Sequence, residues 1–453
     1  MAMGTMPDDY GLVGIRLRAW WNNVSGSLWF VPGAMILGAI ALAAMMVELS
    51  GTIDRSTLIK YPRIFGAGAQ SSRQMLSTIA SAMMTVAGVT FSITVVAVTQ
   101  ASSQYTPRIL RNFMRDRPSQ ITLGTLTGVF VYCLVVIRTV RGDQDRLFIP
   151  ALAVLGAFVL AIIAIGVLVY FIHHVAGSLQ ASGILERVSA ETIAAVERLF
   201  PVKLGEGEEA EPPLAESIAL LDWCPVPSQR TGYIRGLSTN GLLRFAVEHD
   251  LIVRMKVGVG EHVVRGSVLA SAAPAGLEPD DERSLAALYD IGHFRTVEQD
   301  AAFGIRQMVD MAVKALSPGI NDTTTAVSCI DALGAVLVAL ADRRIDARDQ
   351  TYEGRLRVIA RGPTFESLVN TAVDEIRQNA ERNVSVLARL LAMLAVVAER
   401  TASPARRDVL LGHATRILAV GERTVPDANN RAEIRAAFER TEIAARGSPP
   451  GNL

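Results

Sequence analysis

The sequence lacks the features that identify secreted domains, nucleic-acid-binding proteins and common enzymes. Its three cysteines in 453 residues are too few and too scattered for a disulfide-built domain. The formal net charge is +0, without the basic stripe that nucleic acid requires. The chain also lacks a Ser/His/Asp order, a phosphate-binding P-loop and metal-ligand spacing. We therefore expect no enzyme, no catalytic residue, no cofactor, no bound metal and no nucleic-acid partner.

Charge is also missing from long stretches of the chain. No charged residue lies between Arg73 and Arg108. Half of all residues are hydrophobic (50%), and the mean hydropathy is +0.31. Residues 1–175 hold thirteen Lys/Arg and seven Asp/Glu, whereas the remainder holds thirty-one and thirty-seven. This division indicates a basic membrane part joined to a mildly acidic soluble part.

Four apolar segments have the length of about 17–25 residues that a membrane-spanning helix needs. They are Leu28–Val47, Met75–Val98, Ile121–Ile137 and Leu147–Ile172. Four spans place both termini on one side of the membrane. The segments on that side carry six basic residues and the connections on the other side carry seven, so the positive-inside rule does not decide which side is cytoplasmic. We expect a multi-pass inner-membrane protein with a cytoplasmic C-terminal domain, because unpaired cysteines fit a reducing compartment.

The second predicted span carries small and hydroxyl residues on one helical face. These residues are Ser77, Ser81, Thr85, Gly88, Ser92 and Thr99. Steps of three, four and seven residues keep them on one side of a helix. Either the face packs closely on other helices, with hydroxyls bonding across the contact, or several copies of it line an aqueous path. In the second interpretation Phe91, Val95 and Val96 provide a hydrophobic gate.

The middle of this span contains no Asp, Glu, Lys or Arg. A proton-coupled pump usually needs a buried ionisable residue to relay protons, so the absence counts against that function. Arg108, Arg111 and Arg115 follow the span and share one helical face. They either contact lipid headgroups or form the mouth of a pore, where they would favour anions.

The remaining sequence predicts an α+β soluble domain, in which a small β-barrel-like module precedes a helical bundle. Short runs broken by glycine predict strands at 232–237, 242–246, 251–258 and 262–270. The pattern V-x-V-G-x-x-V-x-x-G-x-x-L at 257–269 resembles the hairpin of lipoyl- and biotinyl-type small barrels. From about residue 282 we expect only helices, the later ones over 363–382, 384–400, 405–423 and 429–446.

The expected domain organisation follows from these changes of pattern. It comprises an N-terminal arm (1–27), a four-helix transmembrane domain (28–175), a helix and linker (176–215), the β module (216–280), the helical cytoplasmic domain (281–446) and a flexible tail (447–453).

Two long motifs with fixed spacing stand out. Residues 102–108 read SSQYTPR, and residues 299–322 contain QDAAFG followed by ALSPGIND. The chain resembles a bacterial domain-of-unknown-function family of predicted four-span inner-membrane proteins that carries both motifs. One departure is Thr323, where the family usually has proline. The resemblance implies four spans and a cytoplasmic C-terminal domain, and it implies no activity.

The second motif and the three residues that follow it contain a dense polar set. Its members are Gln299, Asp300, Arg306, Asp310, Ser317, Asn321, Asp322 and Thr325. They either cap and cross-link two antiparallel helices, or line a subunit interface or a pocket for a small ligand or cation.

These observations favour a homo-oligomeric ion channel of the inner membrane. Its second span would line the path, and its cytoplasmic domain would assemble or gate the ring. The alternative is a membrane-anchored sensor or scaffold whose cytoplasmic domain binds a ligand or partner. The expected partners are the lipid bilayer, further copies of the chain, and ions or a small ligand.

Overall fold

The computed structural model of the chain describes residues 29–52, 68–104, 117–143, 146–178, 181–202, 204, 221–345 and 349–447. They belong to two compact units, one ending at Gln180 and the other beginning at Ala181. The expected N-terminal arm (1–27), residues 205–215 of the expected linker and residues 448–453 of the tail lie outside the described residues.

Long helices make up the first unit. They are α1 (Phe30–Thr52), α2 (Ala69–Gln104), α3 (Arg117–Thr139) and α4 (Ala151–Ser178), with strands β1 (Arg141–Asp143) and β2 (Arg146–Phe148) paired between α3 and α4. Charged residues occur only near the helix ends. A helix satisfies its own backbone hydrogen bonds, which is what an apolar chain within a bilayer requires.

Helix α3 is the centre of the first unit and contacts α1, α2 and α4. Gly124 lets α1 approach, since a Cβ there would lie 2.6 Å from the Sδ atom of Met35. The hydroxyl of Tyr132 donates to the carbonyl of Ala153 on α4 at 2.9 Å. These contacts hold α1 and α4 on α3, and α2 packs on the same central helix through one face.

The second unit begins with α5 (Ala181–Leu199) and continues into two small sheets. The strands are β3 (Cys224–Pro227), β4 (Gly232–Leu237), β5 (Ile252–Met255), β6 (His262–Val263), β7 (Val268–Ala273), β8 (Tyr289–Gly292), β9 (Gln350–Tyr352) and β10 (Arg355–Ile359). Their order is β3–β7–β5–β10–β9 in one sheet and β6–β4–β8 in the other. Helices α6 (Thr239–Glu248) and α7 (Pro279–Ala287) complete a core that includes Ile234, Leu242, Leu269 and Leu285.

The predicted β module needs three corrections. Residues 242–246 lie in helix α6 and not in a strand, because buried Leu242, Phe245 and Ala246 follow helical spacing. Strands β8, β9 and β10 lie beyond residue 280, where only helices were expected, and β10 pairs in parallel with β5. The described strands of the second unit form two open sheets and no closed barrel. Pairing between strands about 100 residues apart leaves no local trace in a sequence.

Helices complete the second unit. They are α8 (Ala301–Ala315), α9 (Thr323–Ala341), α10 (Phe365–Asn379), α11 (Val384–Arg400), α12 (Pro404–Thr424) and α13 (Ala428–Arg446). The last four agree with the predicted ranges within three residues. Their ends carry local signals, such as the side chains of Thr364, Asn383 and Asp427, which each accept a hydrogen bond from the first helical turn.

Five of the described helices are long and apolar enough to cross a membrane. Four belong to the first unit and correspond to the segments that the sequence analysis identified as spans. The fifth is α9, with a mean hydropathy of 1.9 over its most apolar window. Within the second unit it packs against α5, α8 and α11.

Candidate functional site

The predicted pore-lining residues share the exposed side of α2. Its packed side consists of buried residues such as Leu76, Ala80, Met83 and Ala87. The exposed side includes Ser77, Ser81, Thr85, Gly88, Ser92 and Thr99. At 100° per residue these six span an arc of about 80°, whose middle lies about 130° around the helix from the middle of the four buried residues. The polar face is therefore directed away from the other helices of its own unit.

The hydroxyl groups on this face differ in their hydrogen bonds. Thr85 Oγ1 donates to the Ser81 carbonyl at 2.9 Å, and Thr99 Oγ1 donates to the Val96 carbonyl at 2.9 Å. Such bonds within a helix satisfy a threonine even in lipid. The hydroxyls of Ser77 and Ser92, like that of Ser81, have no hydrogen-bond partner among the described residues. On this face only the serine hydroxyls therefore need a hydrogen-bond partner from water or from a neighbouring molecule.

The predicted gate residues flank the polar face. Phe91, Val95 and Val96 are 56%, 43% and 62% exposed. By helical geometry Phe91 and Val95 lie on one side of the polar arc and Val96 on the other. The three residues are positioned to contact whatever surrounds this face of the helix.

The predicted pore mouth cannot be placed in the same way. Arg108, Arg111 and Arg115 lie outside the described residues.

In the second unit, Asp300 connects the sheets to the helices. Its carboxylate accepts a hydrogen bond from the Phe303 amide (3.0 Å) as the N-cap of α8, and two from Arg295 (2.7 and 3.0 Å). Gly260 leaves room for the carboxylate, because its φ is +87° and a Cβ there would lie 2.5 Å from Asp300 Oδ2. Asp300 is 6% exposed, so the carboxylate of this ion pair is largely removed from water, whereas the Arg295 side chain is only partly buried.

The neighbouring Gln299 acts at the end of strand β4. Its Oε1 accepts a hydrogen bond from the Leu237 amide at 2.9 Å. A Cβ at Gly236 would lie 2.9 Å from the same oxygen, so the glycine permits the approach. Gln299 and Asp300 together hold the start of α8 against the sheets.

Arg306 forms an ion-pair triad between α8 and α10. Its Nε donates to Asp310 at 2.8 Å, and its two terminal nitrogens donate to the two carboxylate oxygens of Glu375, one of them at 2.7 Å. The hydrogen bond that Arg306 donates to Glu375 raises the pKa of the guanidinium above its ordinary value. The triad is a cross-link between helices that leaves Arg306 engaged by carboxylates of its own chain.

The turn between α8 and α9 contains the remaining motif residues. Asn321 has a φ of +49°, which asparagine tolerates, and its backbone N–H donates to the Ser317 carbonyl at 2.9 Å. Asp322 caps α9 by accepting from the Thr325 hydroxyl (2.5 Å) and the Thr325 amide (3.0 Å). Hydrogen bonds from the hydroxyl and the amide lower the pKa of Asp322.

The eight residues do not converge on one pocket. Helix α8 has 15 residues and a length of about 22 Å, with Gln299 and Asp300 at one end and the 317–325 turn at the other. Capping and cross-linking account for their contacts, and a ligand or interface role stays a prediction. The described part of the chain contains no group of three His, Cys, Asp or Glu that could hold a metal ion.

The structure adds partners that the motif did not reveal. Arg295 is near Asp300 in sequence, so a basic residue five positions before a cap was a usable signal. Glu375, which binds Arg306 from 69 residues away, gave no local signal. The same holds for Asn383, whose Nδ2 donates to Thr323 Oγ1 at 2.8 Å.

The glycine of QDAAFG has a packing role. A Cβ at Gly304 would overlap Thr192 Oγ1 on α5 and lie 2.8 Å from Thr192 Cγ2. Thr192 is fully buried, and its hydroxyl donates to the Val188 carbonyl at 2.6 Å. Gly304 therefore sets how closely α8 and α5 approach.

The chain is similar to proteins from mycobacteria. It is 30% identical over 449 residues to "Uncharacterized protein MT1328" of Mycobacterium tuberculosis (strain CDC 1551 / Oshkosh), an alignment that covers 97% of this chain and 84% of that protein. Identity and coverage are the same for "Uncharacterized protein Mb1321c" of Mycobacterium bovis and "Uncharacterized protein Rv1290c" of Mycobacterium tuberculosis (strain ATCC 25618 / H37Rv). No solved structure was found to match the chain. A family model described as predicted membrane protein (DUF2254) matches residues 25–396. The chain therefore belongs to the DUF2254 family of predicted membrane proteins.

Proposed function

We propose that the protein is a homo-oligomeric ion channel of the inner membrane, with α2 of each copy lining the path. One observation carries the proposal: the serine- and threonine-bearing face of α2 is exposed in a single copy, turned away from the face that packs within the first unit. Lipid offers no hydrogen-bond partner to a serine, whereas a neighbouring copy or a water-filled path does.

A ring of copies would also use the flanking apolar residues. Phe91 and Val95 border the polar face on one side and Val96 on the other. Facing a lumen, such side chains narrow it and can close it by excluding water. Polar wall and apolar constriction are the two elements that a gated pore needs.

The proposed topology has four spans, α1 to α4, and a cytoplasmic second unit that assembles or gates the ring. Although α9 is apolar, it packs on three helices of its own unit, and its Asp331 is paired with Arg389 of α11. Both arrangements favour a place inside a soluble domain. The free thiols of Cys224 and Cys329 favour a reducing compartment for that domain.

Conductance in planar bilayers tests the proposal with a matched pair of variants. Ser81→Leu places bulk on the polar face and is expected to lower single-channel conductance at least about threefold, because it narrows the path and removes a hydroxyl. Ala82→Leu is the control. It adds bulk at nearly the same depth on an exposed position, about 100° away around the helix.

Two results would refute the channel. One is a purified wild-type chain that conducts no ions. The other is a Ser81→Leu variant whose conductance equals that of Ala82→Leu. Cysteine cross-linking supplies an independent measurement: Ser81→Cys is expected to form dimers between copies far more readily than Ala82→Cys.

A further inference from the structure

The outer face of α11 forms the floor of a groove in the second unit. The floor consists of short side chains, among them Ala388, Ala392 and Ala395, and helices α9 and α13 provide the walls through residues such as Val327 and Arg440. The groove has a volume of about 1240 Å³. Small residues flanked by longer ones on neighbouring helices let a further helix approach closely.

The groove has a firm base and an apolar rim. Thr441 Oγ1 of α13 donates to the Leu391 carbonyl of α11 at 2.9 Å, which fixes the two helices against each other. Ile443, which lines the groove, and nearby Val396 are large apolar side chains left 54% and 47% exposed. A preformed concave surface with exposed apolar groups suits helix docking better than contact with a flat membrane.

The charged residues of the groove indicate the charge of the partner that it would bind. Four arginines line it against two glutamates, Glu399 and Glu433. Arg389 is paired with Asp331, but Arg400 and Arg440 have no carboxylate within ion-pair range in the described parts of the chain. Two copies docking through this face would each bring the same excess of two positive charges, whereas an acidic partner would neutralise it.

We propose that this groove binds an acidic amphipathic helix of a partner protein. The small apolar face of that helix would lie on the alanine floor, and its carboxylates would pair with Arg400 and Arg440. The inference concerns the second unit alone and does not depend on the channel.

The probe is a fluorescent peptide of about 18 residues, or five turns, with alanine and leucine on one face and glutamate on both flanks. A peptide with lysine in place of glutamate is its control. The full-length chain in phosphatidylcholine nanodiscs is expected to bind the acidic peptide, in a salt-sensitive manner, and not the basic one. Affinity is read by fluorescence anisotropy.

Three variants locate the binding. Arg400→Glu combined with Arg440→Glu is expected to weaken binding at least about tenfold through like-charge repulsion. Ala392→Trp fills the floor and is expected to weaken it similarly. Arg355→Glu, at an exposed position on β10 outside the groove, is expected to bind as wild type. Because Arg400 and Arg440 are exposed, the charge-reversal variant should fold even if Ala392→Trp does not.

Several results would overturn the proposal. Equal binding of the two peptides, or wild-type affinity in the charge-reversal variant, would remove the charge argument. Complete displacement of the acidic peptide by phosphatidylglycerol vesicles would assign the surface to a membrane. Self-association of the chain that Ala392→Trp abolishes would assign it to a second copy.

Discussion

Replacement of Gly304 by alanine is expected to lower the free energy of unfolding of the second unit by about 3 kcal/mol, near the upper end of overpacking effects. Replacing glycine by alanine in the middle of a helix ordinarily raises the free energy of unfolding by about 1 kcal/mol. Here the new methyl group would overlap Thr192, which is buried and held by its bond to Val188, so the side chain has no space to move into. Urea unfolding of the full-length chain in detergent, followed by far-ultraviolet circular dichroism, measures the change.

Two further variants test the reason for the loss. Gly412→Ala lies inside α12 with no atom within 4 Å of the new Cβ, and is expected to raise the free energy of unfolding by about 0.5–1 kcal/mol. Thr192→Ala in the Gly304→Ala background should restore part of the stability, because the overlapping hydroxyl and methyl are gone. If Gly304→Ala were as stable as Gly412→Ala, α8 and α5 would not be limited by this contact.

Elements with local signals could be predicted from the sequence. The apolar runs of α1 to α4 and the caps of α11 and α13 lie within a few residues of the helices they specify. The spacing of Ser77, Ser81 and the other α2 residues also predicted a single polar face. The spacing alone did not say which face of α2 packs within its own unit, because that depends on α3.

Elements that depend on distant partners could not be predicted. Strand β10 pairs with β5, which lies about 100 residues earlier in the chain, and no pattern in the sequence around β10 identifies β5 as its partner. Residues 242–246 are a short apolar run, for which helix and strand patterns are ambiguous until neighbours decide. The triad at Arg306 depends in the same way on Glu375, so the motif allowed capping and cross-linking of helices to be predicted but did not identify α10 as the partner of α8.

Asp300→Ala is the second variant with a large expected effect, a loss of about 3 kcal/mol in the free energy of unfolding. The substitution removes the N-cap of α8, which contributes about 1 kcal/mol. It also leaves the partly buried guanidinium of Arg295 without its carboxylate, and an uncompensated charge is costly where water is largely excluded. The measurement is the same urea transition of the full-length chain.

Two controls separate the cap from the ion pair. Asp300→Asn keeps an oxygen that can cap α8 but removes the charge, so its loss should lie between those of wild type and Asp300→Ala. Asp322→Ala removes the exposed cap of α9, where no buried arginine depends on the carboxylate, and should cost only about 1 kcal/mol. Equal losses for Asp300→Ala and Asp322→Ala would mean that the contact with Arg295 adds nothing, and that the QDAAFG aspartate is a helix cap alone.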